Sequence, residues 1–320
     1  MTTLTTDSPE EAAAFIRKGS VAAFPTETVY GLGGSVYDEQ AIASIFKAKQ
    51  RPSDNPLIAH IADLDQLEQL VKRIPPLAQK LIDAFFPGPL TIIFERPAEI
   101  PNIVSAGLDT IAVRMPAHPE AQAFLKACGV PVAAPSANRS GRPSPTNWQD
   151  VYTDLKGRIP CILKGGSSAV GIESTVVDCT STLPRVLRAG GISVEALQTI
   201  DPCIAMAMSP ENGVIKSPGM KYRHYAPSAI VQLVERPEEA PVGQENAFIG
   251  ISPHPYPERL GLHLMCPSIE QYAHELFRFF RRSDRAGIKH IFCQSLPKEG
   301  LAMALMDRIS KAAAGSTVKP

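Results

Sequence analysis

The chain has no surplus of charge of either sign. Its 32 lysines and arginines are matched by 32 aspartates and glutamates over 320 residues. Residues 1–200 hold 18 basic and 20 acidic side chains, and the remainder holds 14 and 12. Tight binding of duplex or transfer RNA normally shows as a basic surplus, so tRNA binding is expected to be weak or absent. No apolar run approaches the length of a membrane span, and MTTLTTDSPEEAAAF lacks the basic-then-apolar order of a signal peptide. The expectation is a cytoplasmic protein with no membrane partner. The six cysteines (Cys128, Cys161, Cys179, Cys203, Cys266, Cys293) show no CxxC spacing and no histidine at metal-ligand distance, so no protein-held metal is expected. Most lie in apolar runs and read as buried, reduced thiols. No GxxxxGK[ST] phosphate loop occurs, and no GxSxG or equivalent suggests a Ser-His-Asp arrangement, which argues against a serine hydrolase. There is no internal repeat and no low-complexity block.

What is present is an ordinary globular composition, 44% hydrophobic and 20% charged. At this length two domains are expected. The densest stretch runs from Val21 to Leu57. The apolar run from Val21 to Phe24 reads as a buried strand stopped by Pro25. Thr26, Glu27, Thr28 and Tyr30 follow, then a glycine-rich turn at Gly31, Gly33 and Gly34. A helix comes next, with Ile42, Ile45, Phe46 and Lys49 at i, i+3, i+4 and i+7. Strand, glycines and helix together predict a ligand site of the kind α/β proteins build, with Lys49 and Arg51 at an exposed helix end before Pro52.

Further strands are expected at Leu57–Ile61, Leu90–Phe94, Thr110–Val113, Val132–Ala134, Cys161–Leu163, Thr175–Asp178 and Arg185–Leu187. Helices are expected at Pro9–Lys18, Leu64–Val71, Leu77–Phe86, Glu120–Ala127 and near Trp148. Several strands are consecutive, so the sheet should be mixed rather than wholly parallel. From Asp201 to Pro227 the pattern lapses into a connector punctuated by proline and glycine. Beyond it, strands at Ala229–Val234, Ala247–Ile251 and His290–Gln294 alternate with helices at Glu270–Arg281 and Gly300–Ala313. This tail reads as a small α/β domain of Rossmann-like layering, and the core of the first domain is expected not to depend on it.

Several side chains admit both a chemical and a structural reading. Arg114 ends an apolar strand and is either a solvated cap or a bidentate carboxylate clamp. Arg188, in VLRAGG, has the same two readings, and its glycines would let a phosphate approach the backbone. Ser136, Asn138 and Ser144 lie in the loop APSANRSGRPSPT, where such residues usually form Asx and Ser/Thr turns. No acid falls between Glu120 and Asp150, while Lys126, Arg139 and Arg142 do, which makes a small positive field suited to a nucleotide. Ser174, in GIESTVVD, is similarly open. Glu27 and Asp54 are candidates for acid–base or metal work or for structural caps, and His60 for a core histidine or a catalyst.

The wording FPTETVYGLG followed by KQRPSDNPL resembles the YrdC-like family. NPL…H, FPGPLT, VRMP, PSAN, IESTVVD and LRAG then occur in that family's order. SPGMKYRHYAP resembles the signature joining its catalytic domain to the extra domain of the long, threonylcarbamoyl-AMP synthase form. The resemblance implies a twisted mixed-sheet catalytic domain at 1–200, a connector or lid at 201–227 and a Rossmann-like C-terminal α/β domain at 228–320. It implies a nucleotidyltransferase making threonylcarbamoyl-adenylate and pyrophosphate from L-threonine, bicarbonate and ATP. The product would pass to a transferase complex that modifies tRNA to N6-threonylcarbamoyladenosine. By the same motifs Thr28, His60, Arg114 and Ser174 would hold threonine. Lys49, Arg51, Asn55, Ser136, Asn138, Ser144 and Arg188 would hold or activate ATP, with Thr110 and Tyr225 as additions and Lys49 and Arg51 as the catalytic pair. Magnesium would ride on ATP rather than in a protein cage. The connector's Lys221, Tyr222, Arg223, His224 and Tyr225 could close over the site as a lid. A nucleic-acid-binding module, and a carbamoyl-adenylate enzyme acting on another acceptor, remain as alternatives.

Overall fold

The structure, a computed structural model, describes residues 1–207 and 224–314. In chain order the first region contains β1 (Leu4–Thr6), α1 (Pro9–Arg17), β2 (Ala22–Phe24), β3 (Gly31–Ser35), α2 (Glu39–Lys49) and β4 (Ile58–His60). Next come α3 (Leu64–Leu70), α4 (Pro76–Phe85), β5 (Leu90–Glu95), α5 (Asn102–Ser105), β6 (Thr110–Arg114), α6 (Pro119–Cys128) and β7 (Val132–Ala134). It ends with α7 (Trp148–Leu155), β8 (Cys161–Leu163), β9 (Thr175–Asp178), β10 (Arg185–Arg188), α8 (Val194–Gln198) and β11 (Ala205–Met206). The second region contains β12 (Ile230–Val234), β13 (Gly243–Gly250), β14 (Leu260–Met265), α9 (Ile269–Arg285), β15 (His290–Gln294) and α10 (Gly300–Ala314).

The first sheet is mixed, in the order β1-β8-β2-β3-β7-β4-β6-β5-β9-β10-β11. It runs past residue 200, because β11 pairs in parallel with β10. The second sheet, β12-β15-β13-β14, is parallel throughout. This is the mixed α/β architecture with a smaller Rossmann-like partner that the sequence predicts.

The glycine run is where the local expectation fails. Gly31–Ser35 is not a turn but a strand, antiparallel to both β2 and β7. Its glycines are needed for packing. A Cβ on Gly33 would lie 2.4 Å from Val132 Cγ1 and 3.0 Å from Phe24 Cε1. The helix after it is capped by Asp38, whose carboxylate accepts from Gln40 N and Ala41 N.

One face of the large sheet is covered by an apolar layer that includes Ile42, Ile45 and Phe46 of α2, Leu67 of α3 and Leu81 of α4. The other face is covered by α1 and α6 only over β2, β7 and β8, through Ile16, Phe124 and Leu125. Further along that second face lie Ile58, Ile93, Ala112 and Val176. Strand periodicity places His60 and Arg114 on this face with them.

The two regions are not independent. Val29, Ile172 and Ala189 of the first share one apolar cluster with Tyr272, Phe277 and Phe280 of α9 and Leu305 of α10. Two acids of α7 add charge to the seam. Asp154 accepts from Arg281 of α9 at 2.9 Å, and Asp150 from Arg285 at 2.8 Å. The buried clusters of the first domain's own core are built from its own residues, and this seam is a further contact laid against them.

Candidate active site

A cleft of about 610 Å³, including its open mouth, lies on the partly covered face of the large sheet. Ile58, His60, Arg114 and Ala134 form part of its wall, together with Thr28, Ser136, Ser174, Arg51 and Arg188. His60 and Arg114 end neighbouring parallel strands and are paired in register, so the sheet itself fixes their spacing.

Arg114 is 3% exposed. Its Nη1 donates to Thr28 Oγ1 at 2.7 Å and its Nε to the Gly88 carbonyl at 3.2 Å. Nη2 stands 2.7 Å from Glu27 Oε1 as an ion pair, without an aligned hydrogen bond on either atom. The guanidinium thus keeps hydrogen-bonding capacity for a second carboxylate. Thr26 Oγ1 donates to the Val29 carbonyl at 2.6 Å, so in its 2.8 Å contact with Thr28 it must accept. Thr28 then donates to Thr26, accepts from Arg114, and offers the cleft a lone pair. Burial pushes the Glu27 carboxyl up, but the charge of Arg114 and the hydrogen bonding around the carboxylate together outweigh it and hold the carboxyl below its usual value. Burial, and then the same arginine, bring His60 down to about 3, so its imidazole is neutral at physiological pH. Its Nδ1 lies 3.0 Å from the Ile58 carbonyl.

Across the cleft, Arg188 donates to the Ser174 carbonyl from Nε at 3.1 Å and from Nη2 at 2.9 Å, and to the Ser174 hydroxyl at 3.1 Å. That hydroxyl also meets Thr91 Oγ1 at 2.8 Å. The glycines after Arg188 have a different use from the one expected. A Cβ on Gly190 would stand 2.2 Å from the Ser174 carbonyl carbon, so the close approach is made by the protein's own backbone. Arg51 donates from Nη2 to the carbonyls of Asn55 and Pro56, both at 3.3 Å. Ser136 Oγ donates to Asn138 Oδ1 at 2.5 Å.

Five of the expected site residues do not line the cleft. Lys49 is not at an exposed helix end but 1% exposed, donating to the carbonyls of Ser136 and, at 2.6 Å, Asn138. It fixes the serine–asparagine loop from behind. Burial, and then the nearby charge of Arg51, hold its ammonium well below the ordinary lysine value. Asn138 turns into its own loop, donating from Nδ2 to Arg139 O and Arg142 O at 2.8 and 2.9 Å. Ser144 is buried and donates to Glu173 Oε1 at 2.6 Å. Asn55 is buried beside Arg51, with Oδ1 lacking a hydrogen-bond partner. Thr110 shares the cleft's face with Arg114 but stands four residues back along β6, about 13 Å away.

The positive field expected between residues 120 and 150 does not open on the cleft. Arg142 pairs with Asp154 at 2.7 Å, and Arg139 donates to Gln50 Oε1 at 2.8 Å. Helix α7 folds its acids back over that loop. Asp54 is exposed and off the cleft wall, and Glu27 is engaged by Arg114.

Of the connector, Lys221, Tyr222 and Arg223 lie outside the described residues. His224 and Tyr225 line the cleft. Tyr225 has a positive φ of 64° and is 6% exposed, with its ring 5.4 Å from that of Phe277 and 5.3 Å from the Arg308 guanidinium. Burial and then Arg51 lower His224 to about 4. Sequence reasoning missed Thr26, Glu173 and Arg308. Glu173 Oε2 accepts from Arg308 Nε at 2.7 Å, and burial pushes its carboxyl up less than Arg308 and Arg188 hold it down. Among the described residues no group of three or more histidine, cysteine, aspartate or glutamate side chains could hold a metal. No described helix is long and apolar enough to cross a membrane.

Fold and cleft together define a two-domain α/β protein whose first domain holds a ligand cleft lined by arginines and hydroxyls on the face of a mixed sheet. The Sua5/YciO/YrdC family model, described as "Telomere recombination", matches residues 14–190. The model for the threonylcarbamoyl-AMP synthase C-terminal domain matches residues 192–314. The chain is 42% identical to the threonylcarbamoyl-AMP synthase of Pyrococcus abyssi, over 96% of this chain and 94% of that one. It is 41% identical to the Bacillus subtilis threonylcarbamoyl-AMP synthase, over 99% and 96%. The crystal structure of P. abyssi Sua5 complexed with L-threonine matches with a TM-score of 0.88 at 40% identity, covering 98% of this chain and 97% of that one. The chain belongs to the Sua5/YciO/YrdC family, in its two-domain form.

Proposed function

We propose that this protein is an enzyme, a threonylcarbamoyl-AMP synthase, which makes threonylcarbamoyl-adenylate and pyrophosphate from L-threonine, bicarbonate and ATP. The observation that carries the reading is the convergence of Arg51, Arg114 and Arg188 with the hydroxyls of Thr28, Ser136 and Ser174 on one cleft. Three cations suit substrates that together bring a carboxylate, a carbamate and a triphosphate. Relatives named for this activity match 96% and 99% of the chain, and one was solved with L-threonine bound.

Arg114 takes the threonine carboxylate through guanidinium N–H groups beyond those that Gly88 and Thr28 use, and Thr28 accepts from the substrate's amine or hydroxyl. Neutral His60 and Ser174 complete that side. The threonine amine must be neutral to attack CO2 or bicarbonate, and a neutral imidazole offers it a hydrogen-bond partner without adding charge. The resulting N-carboxylate attacks the α-phosphate in line. The protein contributes orientation and charge neutralisation, with no covalent nucleophile. Arg51, Ser136 and Arg188 face the nucleotide, with Asn55 buried beside Arg51 and Thr110 further back along β6. Lys49, Asn138 and Ser144 act from behind the wall by fixing the loop that carries Ser136.

The product is a mixed anhydride and must be kept from water. His224 and Tyr225 stand on the cleft wall and narrow its access to water. A magnesium ion would enter on ATP and stay on phosphate oxygens and water, since the nearby carboxylates Glu27 and Glu173 are already paired with Arg114 and Arg308. The adenylate would pass to a tRNA threonylcarbamoyl transferase complex in the cytoplasm. The test is ATP–pyrophosphate exchange by the purified chain with each amino acid in turn, with and without bicarbonate. Exchange that needs both L-threonine and bicarbonate supports the reading. Exchange with another amino acid, or indifference to bicarbonate, overturns it.

A further inference from the structure

The second domain reaches the surroundings of the cleft through Arg308. Arg308 lies in the middle of α10 and is 0% exposed, the largest fully buried side chain in the described protein. It sits at an inward position of its helix, between Leu305 and Ala312. It makes three contacts with the cleft's surroundings. Nε donates to Glu173 Oε2 at 2.7 Å, Nη2 donates to the Ala189 carbonyl at 3.0 Å, and the guanidinium lies 5.3 Å from the centre of the Tyr225 ring. Nη1 is held by Asp307 of the same helix. Glu173 and Tyr225 line the cleft, and Ala189 follows Arg188, which does too.

Glu173 relays the contact. Its other oxygen accepts from the Ser144 hydroxyl at 2.6 Å. An ionised carboxylate is an acceptor only, so Ser144 has no choice but to donate. Arg308 is what makes an ionised carboxylate tolerable there, since Glu173 is 7% exposed. Without the cation a buried glutamate takes up a proton, and the order of donors along Glu173 and Ser144 is no longer fixed. Ser144 belongs to the loop that carries Ser136 into the cleft, and the same loop is held at Pro143 by Arg281 of α9.

We propose that Arg308 is a positioning residue for the nucleotide side of the cleft, acting through Glu173 on Ser144 and through Ala189 on Arg188. This makes the second domain part of the ATP site although none of its described strands or helices lines the cleft. Thr28, His60 and Arg114 of the threonine side make no contact with Arg308, and Ser174 is linked to it at one remove, through Glu173 and Arg188, so threonine binding should depend on Arg308 less than ATP binding does. The assignment of sides rests on the function proposed above.

The test is isothermal calorimetry of the full chain with ATP alone and with L-threonine alone, for wild type, Arg308→Met, Arg308→Lys, Ser144→Ala and the Arg308→Lys/Ser144→Ala pair. Loss of a charged, buried hydrogen bond corresponds to about tenfold or more in affinity. Arg308→Met should weaken ATP by about that factor and leave threonine within about threefold, and Arg308→Lys should recover part of the loss. Because Arg308 and Ser144 act in one chain, the double variant should bind ATP no worse than the weaker of its two single variants. Unchanged ATP affinity in an Arg308→Met chain that melts cooperatively overturns the proposal, as does equal weakening of both ligands. If Arg308→Met does not fold, the cycle with Arg308→Lys decides, and additive losses overturn it. A wild type that binds ATP but forms no threonylcarbamoyl-adenylate overturns the proposed function and leaves this inference to the same calorimetry. A wild type that binds no ATP overturns both.

Discussion

Replacing Arg114 with methionine removes the cation that keeps Glu27 ionised inside the protein. The bonds to Thr28 and Gly88, at 2.7 and 3.2 Å, go with it. Breaking one side of a buried ion pair costs about 3–5 kcal/mol. At about 2–4 °C per kcal/mol for a unit of this size, the melting point should fall by roughly 6–20 °C near neutral pH. The direction of the pH dependence is the sharper part. In the native protein Glu27 titrates below its unfolded value. Its contribution is therefore present above the unfolded value and lost as pH falls through the folded one. In the variant burial acts without Arg114 and raises the folded value above the unfolded one. Protonated Glu27 then favours folding, and that benefit is lost as pH rises through the raised value. The melting deficit against wild type should thus be smaller near pH 5 than near pH 8. Arg114→Met/Glu27→Gln, which removes both charges of the pair, should recover much of the deficit at the higher pH. Thermal melts of the three proteins by circular dichroism, across that range, measure all of this. A deficit of the same size at both ends of the range would refute the pairing argument.

Threonine should be strongly preferred over valine in pyrophosphate release, by roughly 10⁴-fold if the site is built around the hydroxyl, and equal turnover of the two would contradict that. The His60 imidazole should show no titration between about pH 5 and 8 by NMR, since burial and Arg114 hold it at about 3, and a midpoint near the ordinary histidine value would contradict the charge assignment. A chain cut after Gln198 should be inactive and also markedly less stable, because Val29, Ile172 and Ala189 lose the apolar cluster they share with α9 and α10 and Glu173 loses Arg308. A soluble fragment melting like the full chain would show the first domain to be independent after all.

The alternation of β-rich runs and helices was legible because buried strands such as LTIIF and helices with a 3.6-residue apolar period leave strong local patterns. Gly31–Ser35 was not, since three glycines in five residues read as a turn and only the facing side chains of Phe24 and Val132 explain a strand. The edge strands β1 and β14 carry little burial, and with it little pattern. Arg114, Arg188, Ser174 and Thr28 were legible as candidates from their strand ends and loops, though not their shared cleft, which is made by sheet register. Lys49 is instructive. Its place at i+7 on the apolar face of α2 already implied an inward direction, yet its charge suggested solvent. Arg308 carried the same signal, a cation on the buried face of a helix. Its partner Glu173 is 135 residues away, and no local pattern links them.

The central claim is that this cleft joins bicarbonate to threonine and then to AMP. It is tested most directly by incubating the purified chain with ATP, L-threonine and ¹³C-bicarbonate and analysing the nucleotide product by mass spectrometry before it hydrolyses. The account predicts an adenylate whose carbamoyl carbon carries the label, formed with pyrophosphate and absent when threonine is omitted. An unlabelled threonyl-adenylate, or release of pyrophosphate with no bicarbonate-derived carbon in the product, would contradict it.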